Sequence, residues 1–292
     1  MKPETLLLTG ATGFLGRRLA PELAVSWRVL RASRSAEGED SIRLDLEDAD
    51  SVRRAFDRVR PSVVVHCGAV AGPDECEREP ERARRVNLDA ARVIAQLCGG
   101  AKARLVHLST DLVFDGEKGW YSEDDAPNPI SVYGRAKLEA EEAVLTAAPG
   151  ACALRVASVY GRPLGTRTCF VDELRAALSQ GRPIGAFTDQ WRTPTAGDRL
   201  GEVILRLLAD PDLDGVYHWG GADRVTRHES ALRLCRAFGY DETLVRPTRA
   251  SDARPPAPRP RDSSLDSSRL AAALGLAPTP LDEGFAALKA AL

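Results

Sequence analysis

A glycine-rich stretch, Thr9-Gly10-Ala11-Thr12-Gly13-Phe14-Leu15-Gly16, lies between a short apolar run and a segment with helical spacing. Gly10 permits a tight turn, Gly13 lets the backbone approach a ligand, and Gly16 allows the helix to pack closely on the strand. Because the free N–H groups at the start of a helix favour an anion, this turn is predicted to bind the pyrophosphate of a dinucleotide.

Short apolar runs and longer helical patterns alternate outward from this turn. The predicted strands are 5–9, 28–32, 62–67, 103–108, 152–156 and 216–219. The predicted helices are 14–24, 51–59, 80–98, 133–147, 172–178, 198–209, 228–238 and 281–292. This alternation predicts an α/β fold, a Rossmann doubly wound parallel sheet with helices on both faces.

The regular alternation of strands and helices ends in the second half of the chain, which predicts two lobes. We assign 1–161 and 188–221 to the dinucleotide-binding Rossmann domain, and 162–187 and 222–292 to a smaller C-terminal substrate-binding lobe. The stretch 247–264 is rich in Pro, Arg, Ser and Asp and is predicted to be an ordered loop at the site. We expect the site in the cleft between the lobes.

The overall composition excludes several classes of protein. Of the 292 residues, 43% are hydrophobic and 28% are charged, the net charge is -2 and the pI is about 6.2, so no basic face for nucleic acid is expected. No apolar run is long enough for a bilayer and no signal peptide is recognised, so no membrane partner is expected. Six scattered cysteines without a C-x-x-C pair and four histidines without ligand spacing predict a cytoplasmic protein with no metal site.

The second predicted strand decides which dinucleotide is bound. Enzymes that use NAD usually place an acidic residue about 20 residues after the glycines, where it binds the ribose 2′-hydroxyl. This chain has Ser33 and Arg34 there and no acid before Glu37, and a hydroxyl with a guanidinium suits a 2′-phosphate. We therefore predict NADPH, with NADH as the alternative. The predicted cofactor contacts are Gly10, Thr12, Gly13, Phe14, Leu15, Gly16, Ser33, Arg34, Asp45, Leu46, Gly68, Ala69, Ala71, Tyr133 and Lys137.

Tyr133 and Lys137 are the candidate catalytic pair, because they stand at i and i+4 on one face of the predicted helix 133–147. A tyrosine with its ordinary pKa is a poor acid–base catalyst at neutral pH, and a nearby ammonium is expected to lower that pKa. Thr110 comes just after the predicted strand 103–108, at the edge of the sheet where ligands bind. Its hydroxyl is predicted to donate to a substrate carbonyl beside Tyr133.

Several longer motifs resemble those of a known family. They are Ser109-Thr110-Asp111-Leu112-Val113-Phe114-Asp115-Gly116, Tyr121, Glu123, Asp124, Pro127, the run 133–137, Asp74, Glu77, Pro80, Asn87, Arg192-Thr193-Pro194-Thr195 and the run 259–266. Over nearly its whole length the chain resembles an extended short-chain dehydrogenase/reductase of the dTDP-4-dehydrorhamnose reductase branch. The resemblance implies hydride transfer to the C4 ketone of a nucleotide-linked 6-deoxyhexulose. It makes Tyr133 the proton donor, Thr110 a hydrogen-bond donor to the substrate, and Lys137 a support for Tyr133 and the cofactor.

The resemblance also implies substrate contacts at Asp111, Ser158, Arg192 and Arg259. Leu112 stands where family reductases commonly have Tyr, and Ser158 stands where they have a Trp beside the substrate. Loss of an aromatic wall changes the area and the shape of the sugar site. The ketone chemistry is therefore expected, whereas the identity of the sugar is left open.

Two other functions stay open at this point. The chain is also similar to the regulatory β subunit of methionine adenosyltransferase, notably at Gly215–Trp219, which implies a dinucleotide-binding protein whose chemistry is idle. Alternatively, Leu112 and Ser158 indicate that the hydride passes to a non-sugar ketone. A homodimer is compatible with each of these hypotheses.

Overall fold

A computed structural model describes residues 4–35, 37–165, 168–253 and 255–292 of the chain. Seven parallel strands form its main sheet, namely β1 (Thr5–Thr9), β2 (Arg28–Ser33), β3 (Ser41–Arg43), β4 (Val63–His66), β5 (Arg104–Thr110), β6 (Cys152–Val156) and β9 (Gly215–Trp219). Their order across the sheet is β3-β2-β1-β4-β5-β6-β9. The chain therefore reverses its direction of winding between β1 and β4, where folds of this type bind ligands.

Each face of the main sheet has its own hydrophobic core. Leu6 and Leu8 of β1 belong to one core and Leu7 belongs to the other, because successive strand residues point to opposite faces. The helices on the first face are α1 (Phe14–Leu23), α8 (Leu200–Ala209) and α11 (Ser268–Leu274). Those on the second face are α2 (Ala49–Val59), α5 (Ala90–Ala101) and α6 (Val132–Ala147). The predicted doubly wound parallel sheet is confirmed.

The predicted helix 80–98 is interrupted in the structure. The segment contains α3 (Pro73–Arg78), α4 (Pro80–Arg84) and a π-helical turn (Arg85–Asp89), which continues into α5. The Asn87 side chain in the π turn accepts from the Val70 N–H at 2.8 Å and donates to the Val70 carbonyl at 3.0 Å. The π turn, which sequence periodicity does not reveal, thus anchors the chain that follows β4.

A smaller lobe with a separate core lies beyond the main sheet. Its elements are α7 (Phe170–Leu178), α9 (Arg227–Phe238), α10 (Ala250–Ala253), α12 (Leu281–Ala290) and the strand pairs β7 (Ile184–Phe187) with β11 (Val245–Thr248) and β8 (Trp191–Arg192) with β10 (Val225–Thr226). The division into 162–187 and 222–292 stays a prediction. Within 222–292, α11 packs on the main sheet through Leu270 and Leu274. No helix in the described ranges combines the length and the apolar character needed to cross a membrane.

The junction of α1 and α8 carries a carboxyl group with an unusual pKa. Burial and the neighbouring Asp198 carboxylate raise the pKa of Glu22 to about 7. Between the ordinary pKa and this raised value the folded state binds more protons than the unfolded state, so stability falls as the pH rises through that window. We expect Glu22→Gln to unfold a few degrees above the wild-type protein at about pH 8, and to show a smaller decline in stability between about pH 5 and pH 8.

Thermal unfolding across this pH range checks the Glu22 prediction. Glu139→Gln, a change at an exposed glutamate of α6, is the control and should keep the wild-type pH dependence. An equal decline in Glu22→Gln and the wild-type protein would show that another group is responsible.

Candidate active site

The glycine turn begins where β1 ends, and its backbone is tightly packed. Gly10 has a φ of +68°, and a Cβ on Gly10 would lie 2.6 Å from the Gly68 Cα. The Gly13 N–H donates to the Gly10 carbonyl at 2.9 Å, and a Cβ on Gly16 would collide with that carbonyl. Gly13 caps α1 without a side-chain hydrogen bond, so the first helical N–H groups remain available to an anion. This backbone cradle fits a pyrophosphate.

A cavity of about 720 Å³ extends from the glycine turn to the end of β2. Thr12, Arg17 and Ser33 lie in its wall, whereas Arg34 lies outside its lining. The Arg34 guanidinium is mostly exposed, 3.9 Å from the Glu47 carboxylate. A weak exposed ion pair of this kind leaves Arg34 able to turn toward a phosphate.

The other predicted cofactor residues follow β3 and β4. Leu46 packs over Gly68 so closely that a Cβ on Gly68 would lie 2.5 Å from the Leu46 Cδ1. Asp45 directly precedes Leu46, and in the chain after β4 Ala69 is half-buried and Ala71 is exposed. These residues lie at the carboxyl ends of parallel strands, the edge at which the glycine turn also lies.

Thr110, Tyr133 and Lys137 come together where β5 ends. Thr110 is the last residue of β5; its hydroxyl donates to the Asp111 carboxylate at 3.2 Å and is close enough to the Tyr133 phenol to affect its pKa. Tyr133 and Lys137 both lie on the buried face of α6. The Lys137 Nζ donates to the Leu108 carbonyl at 2.6 Å and lies 2.9 Å from the His107 Nε2. The three side chains that the sequence singled out thus occupy one end of the sheet.

The pKa of the phenol differs from the prediction. Burial and the Asp111 carboxylate raise the pKa of Tyr133 well above its usual value, although the Thr110 hydroxyl partly offsets the effect. Burial lowers the pKa of Lys137 to about 8, while the Glu141 carboxylate acts in the opposite direction. The predicted lowering of the Tyr133 pKa by Lys137 is therefore not found in the protein alone. Tyr133 is a neutral phenol at neutral pH, which is the form that can donate a proton.

A cavity of about 160 Å³ separates the carboxyl edge of the main sheet from the smaller lobe. Its polar wall contains Ser158, Arg192 and Arg227. Its apolar wall is formed by Val159, Phe170, Val171, Pro194 and Val225. Ser158 has a φ of +41°, a left-handed conformation that is uncommon for a residue other than glycine and is often found at functional sites.

Three guanidinium groups gather beside this cavity. The Arg192 Nε lies 3.6 Å from the Asp111 carboxylate, and Arg259 pairs with Asp74 at 3.1 Å. Burial, together with the nearby Arg192 and Arg259, lowers the pKa of Arg227 to about 10. Arg192 and Arg227 thus share Asp111 as a counter-charge, and the excess of positive charge can bind an anionic group such as a diphosphate.

One residue of this cluster, Arg227, was not singled out from the sequence, whereas Ser263 lies in a stretch that was predicted to be at the site. Arg227 begins α9 directly after Thr226, whose hydroxyl accepts from the Glu229 N–H, and this T-x-x-E capping box could have marked the start of the helix. Ser263 donates to the Asp111 carboxylate and lies in the stretch 247–264. Across the described parts of the chain, no group of three His, Cys, Asp or Glu side chains is placed to hold a metal ion.

Comparison with known proteins gives consistent matches over most of the chain. The model of a family described as the RmlD substrate binding domain matches residues 4–292. The chain is 35% identical over 275 residues to "Methionine adenosyltransferase 2 subunit beta" of Xenopus tropicalis, covering 90% of this chain and 80% of that protein. It is 34% identical over 292 residues to "Probable low-salt glycan biosynthesis reductase Agl14" of Haloferax volcanii, covering 97% of both. The crystal structure of dTDP-4-dehydrorhamnose reductase from Bacillus anthracis with NADP superposes with a TM-score of 0.91 at 25% identity, covering 99% of this chain and 100% of that one.

Proposed function

This chain belongs to the family of the RmlD substrate binding domain, and we propose that it reduces the C4 ketone of a nucleotide-linked 6-deoxyhexulose with NADPH. The family membership agrees with the resemblance seen in the sequence and makes the protein a nicotinamide-dependent oxidoreductase. The proposal rests mainly on one observation: Thr110, Tyr133 and Lys137 lie close together, between the glycine turn and the arginine-lined cavity.

The residues at the carboxyl edge of the sheet fit a dinucleotide. The glycine turn with Phe14 and Leu15 would hold the pyrophosphate, and Ser33 with Arg34 would bind the 2′-phosphate. Asp45 and Leu46 would lie near the adenine, and Gly68, Ala69 and Ala71 would be further contacts of the dinucleotide. When bound, the reduced nicotinamide supplies a hydride to the substrate carbon.

The proton needed for reduction comes from Tyr133. As the C4 carbon accepts the hydride, negative charge develops on the carbonyl oxygen, and the neutral phenol transfers its proton there. The Thr110 hydroxyl donates a hydrogen bond to the same oxygen, which stabilises that charge. The Lys137 ammonium then stabilises the phenolate that Tyr133 becomes, and also binds the ribose of the cofactor.

The arginine-lined cavity gives the substrate class. Arg192, Arg227 and Arg259 provide planar donors for the diphosphate of a nucleotide sugar, and Asp111 orients Arg192. Ser158 leaves room beside the sugar that a larger side chain would fill. The proposed partner is therefore a nucleotide sugar, with the sugar substituents set by the shape around Ser158.

The proposal is tested by following NADPH oxidation with dTDP-4-dehydro-6-deoxy-L-mannose generated in situ. We expect NADPH consumption that depends on this substrate and forms one reduced sugar for each NADPH. Turnover of simple ketones without turnover of the nucleotide sugar would show that the substrate is a non-sugar ketone. No turnover of either, with NADPH still bound, would overturn the reductase proposal.

Cofactor preference gives a separate prediction at Arg34. Arg34→Ala should raise the KM for NADPH by about 10- to 100-fold and leave the KM for NADH nearly unchanged, because only NADPH carries the 2′-phosphate. Steady-state kinetics with both cofactors is the measurement. Arg54→Ala, at an exposed arginine of α2, is the control and should change neither value. An equal rise in the KM for both cofactors would show that Arg34 contacts a part of the dinucleotide that NADPH and NADH share.

A second candidate function is regulatory. The 35% identity to a methionine adenosyltransferase 2 subunit beta over 90% of this chain favours it. In this case the protein would bind NADPH and a synthetase while catalysing no reduction. Co-purification with a methionine adenosyltransferase, together with an inactive reductase assay, would support this function.

A further inference from the structure

A row of polar side chains crosses three strands of the main sheet. Thr9 of β1 is in register with His66 of β4, which is in register with His107 of β5. All three residues are buried. The Thr9 Oγ1 lies 2.6 Å from the His66 Nδ1, and the two imidazole centroids are 5.1 Å apart. The row ends at the Lys137 Nζ, 2.9 Å from the His107 Nε2.

Both imidazoles of the row are neutral in the folded protein. Burial and the Lys137 ammonium lower the pKa of His66 to about 3 and that of His107 well below its usual value. A neutral imidazole has one donor and one acceptor nitrogen, and an ammonium can only donate. The His107 Nε2 is therefore the acceptor, and its proton lies on Nδ1.

The contact with this row determines how many N–H groups of Lys137 remain free to donate. An ammonium has three N–H groups, of which one goes to the Leu108 carbonyl and one to the His107 Nε2. The other titratable groups that act on Lys137 are Glu141, which lies on the same helix, and Cys67, which follows β4. One N–H of Lys137 thus remains for a ligand.

The histidines of this row are not explained by packing. The His66 Nε2 and the His107 Nδ1 are buried and have no hydrogen-bond partner among the residues that the structure describes. An unsatisfied polar group in a sheet core destabilises the fold, and Val64 and Val65 beside His66 show that aliphatic residues fit these strands. The presence of a histidine at position 107 is therefore better explained by its contact with Lys137 than by a contribution to stability.

We propose that His107 is a positioning residue, whose Nε2 fixes the Lys137 ammonium and directs the remaining N–H to the ribose of the bound dinucleotide. His66 and Thr9 hold the His107 ring in place through the in-register row. This inference rests on the role proposed above for Lys137.

Three variants at this position test the inference through NADPH binding, which needs no substrate. His107→Gln can place an amide oxygen where the Nε2 lies, whereas His107→Asn reaches only the Nδ1 position and His107→Leu has no acceptor. Fluorescence titration between about pH 6 and pH 10 should show NADPH bound about 10-fold more weakly by the Leu and Asn variants. Their alkaline loss of affinity should move to lower pH, because removal of an acceptor disfavours the charged ammonium. The Gln variant should recover both properties.

Two further measurements separate positioning from packing. Lys137→Met should remove the alkaline loss of NADPH affinity, and a loss that persists in this variant would overturn the inference. Thermal unfolding of the three His107 variants reports on packing alone. Lower melting temperatures with an unchanged pH profile of NADPH affinity would also overturn it. A lack of nucleotide-sugar turnover in the wild-type protein would overturn the proposed reaction only, since the titrations do not depend on that reaction.

Discussion

Tyr133→Phe should lower kcat for reduction of the nucleotide sugar by about 10²- to 10⁴-fold and leave the Kd for NADPH nearly unchanged. The substitution removes only the phenolic oxygen, so the packing of the ring on α6 is retained. Without that oxygen the proton must come from water or from the weaker donor Thr110. Steady-state kinetics and NADPH titration of the purified variant are the measurements.

A second tyrosine provides the control for this prediction. Tyr240→Phe alters a half-buried tyrosine that stacks on Phe238 in the smaller lobe, and it should behave like the wild-type protein. Wild-type turnover by Tyr133→Phe would contradict the role of Tyr133 as proton donor. A parallel loss of NADPH binding would show that the phenolic oxygen of Tyr133 also holds the cofactor, and the loss of kcat would then not isolate proton transfer.

Glu141→Leu should lower the free energy of unfolding by about 3–5 kcal/mol, the largest stability effect that we expect. Glu141 and Arg155 form an ion pair of 2.7 Å in which the side chains are only 2% and 4% exposed. The Ser109 hydroxyl also donates to the Glu141 carboxylate. Removal of this carboxylate leaves the Arg155 charge buried without its partner, which costs far more than the loss of a surface pair.

Urea unfolding measures the loss of stability in Glu141→Leu, and two further variants serve as comparisons. Glu142→Gln, at the exposed neighbour on α6, should change the stability by less than about 0.5 kcal/mol. The double variant Glu141→Leu with Arg155→Met should recover part of the loss, because it removes both buried charges. A double variant that loses as much as the sum of the single changes would contradict a direct pairing.

The parallel sheet and the positions of the reactive side chains within their elements could be predicted from the sequence. The strands Thr5–Thr9 and Cys152–Val156 have the predicted bounds, because buried strands read as short apolar runs between turns. Tyr133 and Lys137 share a face of α6 because helical geometry places residues four apart on one side. These features depend on local spacing, which a single sequence contains.

The protonation and the partners of these side chains depend on the folded arrangement of the chain. Arg227 and Arg192 line the same cavity although they are far apart in the chain, and no local pattern encodes that proximity. Burial and the Asp111 carboxylate raise the pKa of Tyr133, while the Lys137 ammonium donates to the Leu108 carbonyl and lies against the His107 Nε2. Desolvation and charge–charge interactions act through space, so they are set by the folded arrangement rather than by the order of residues.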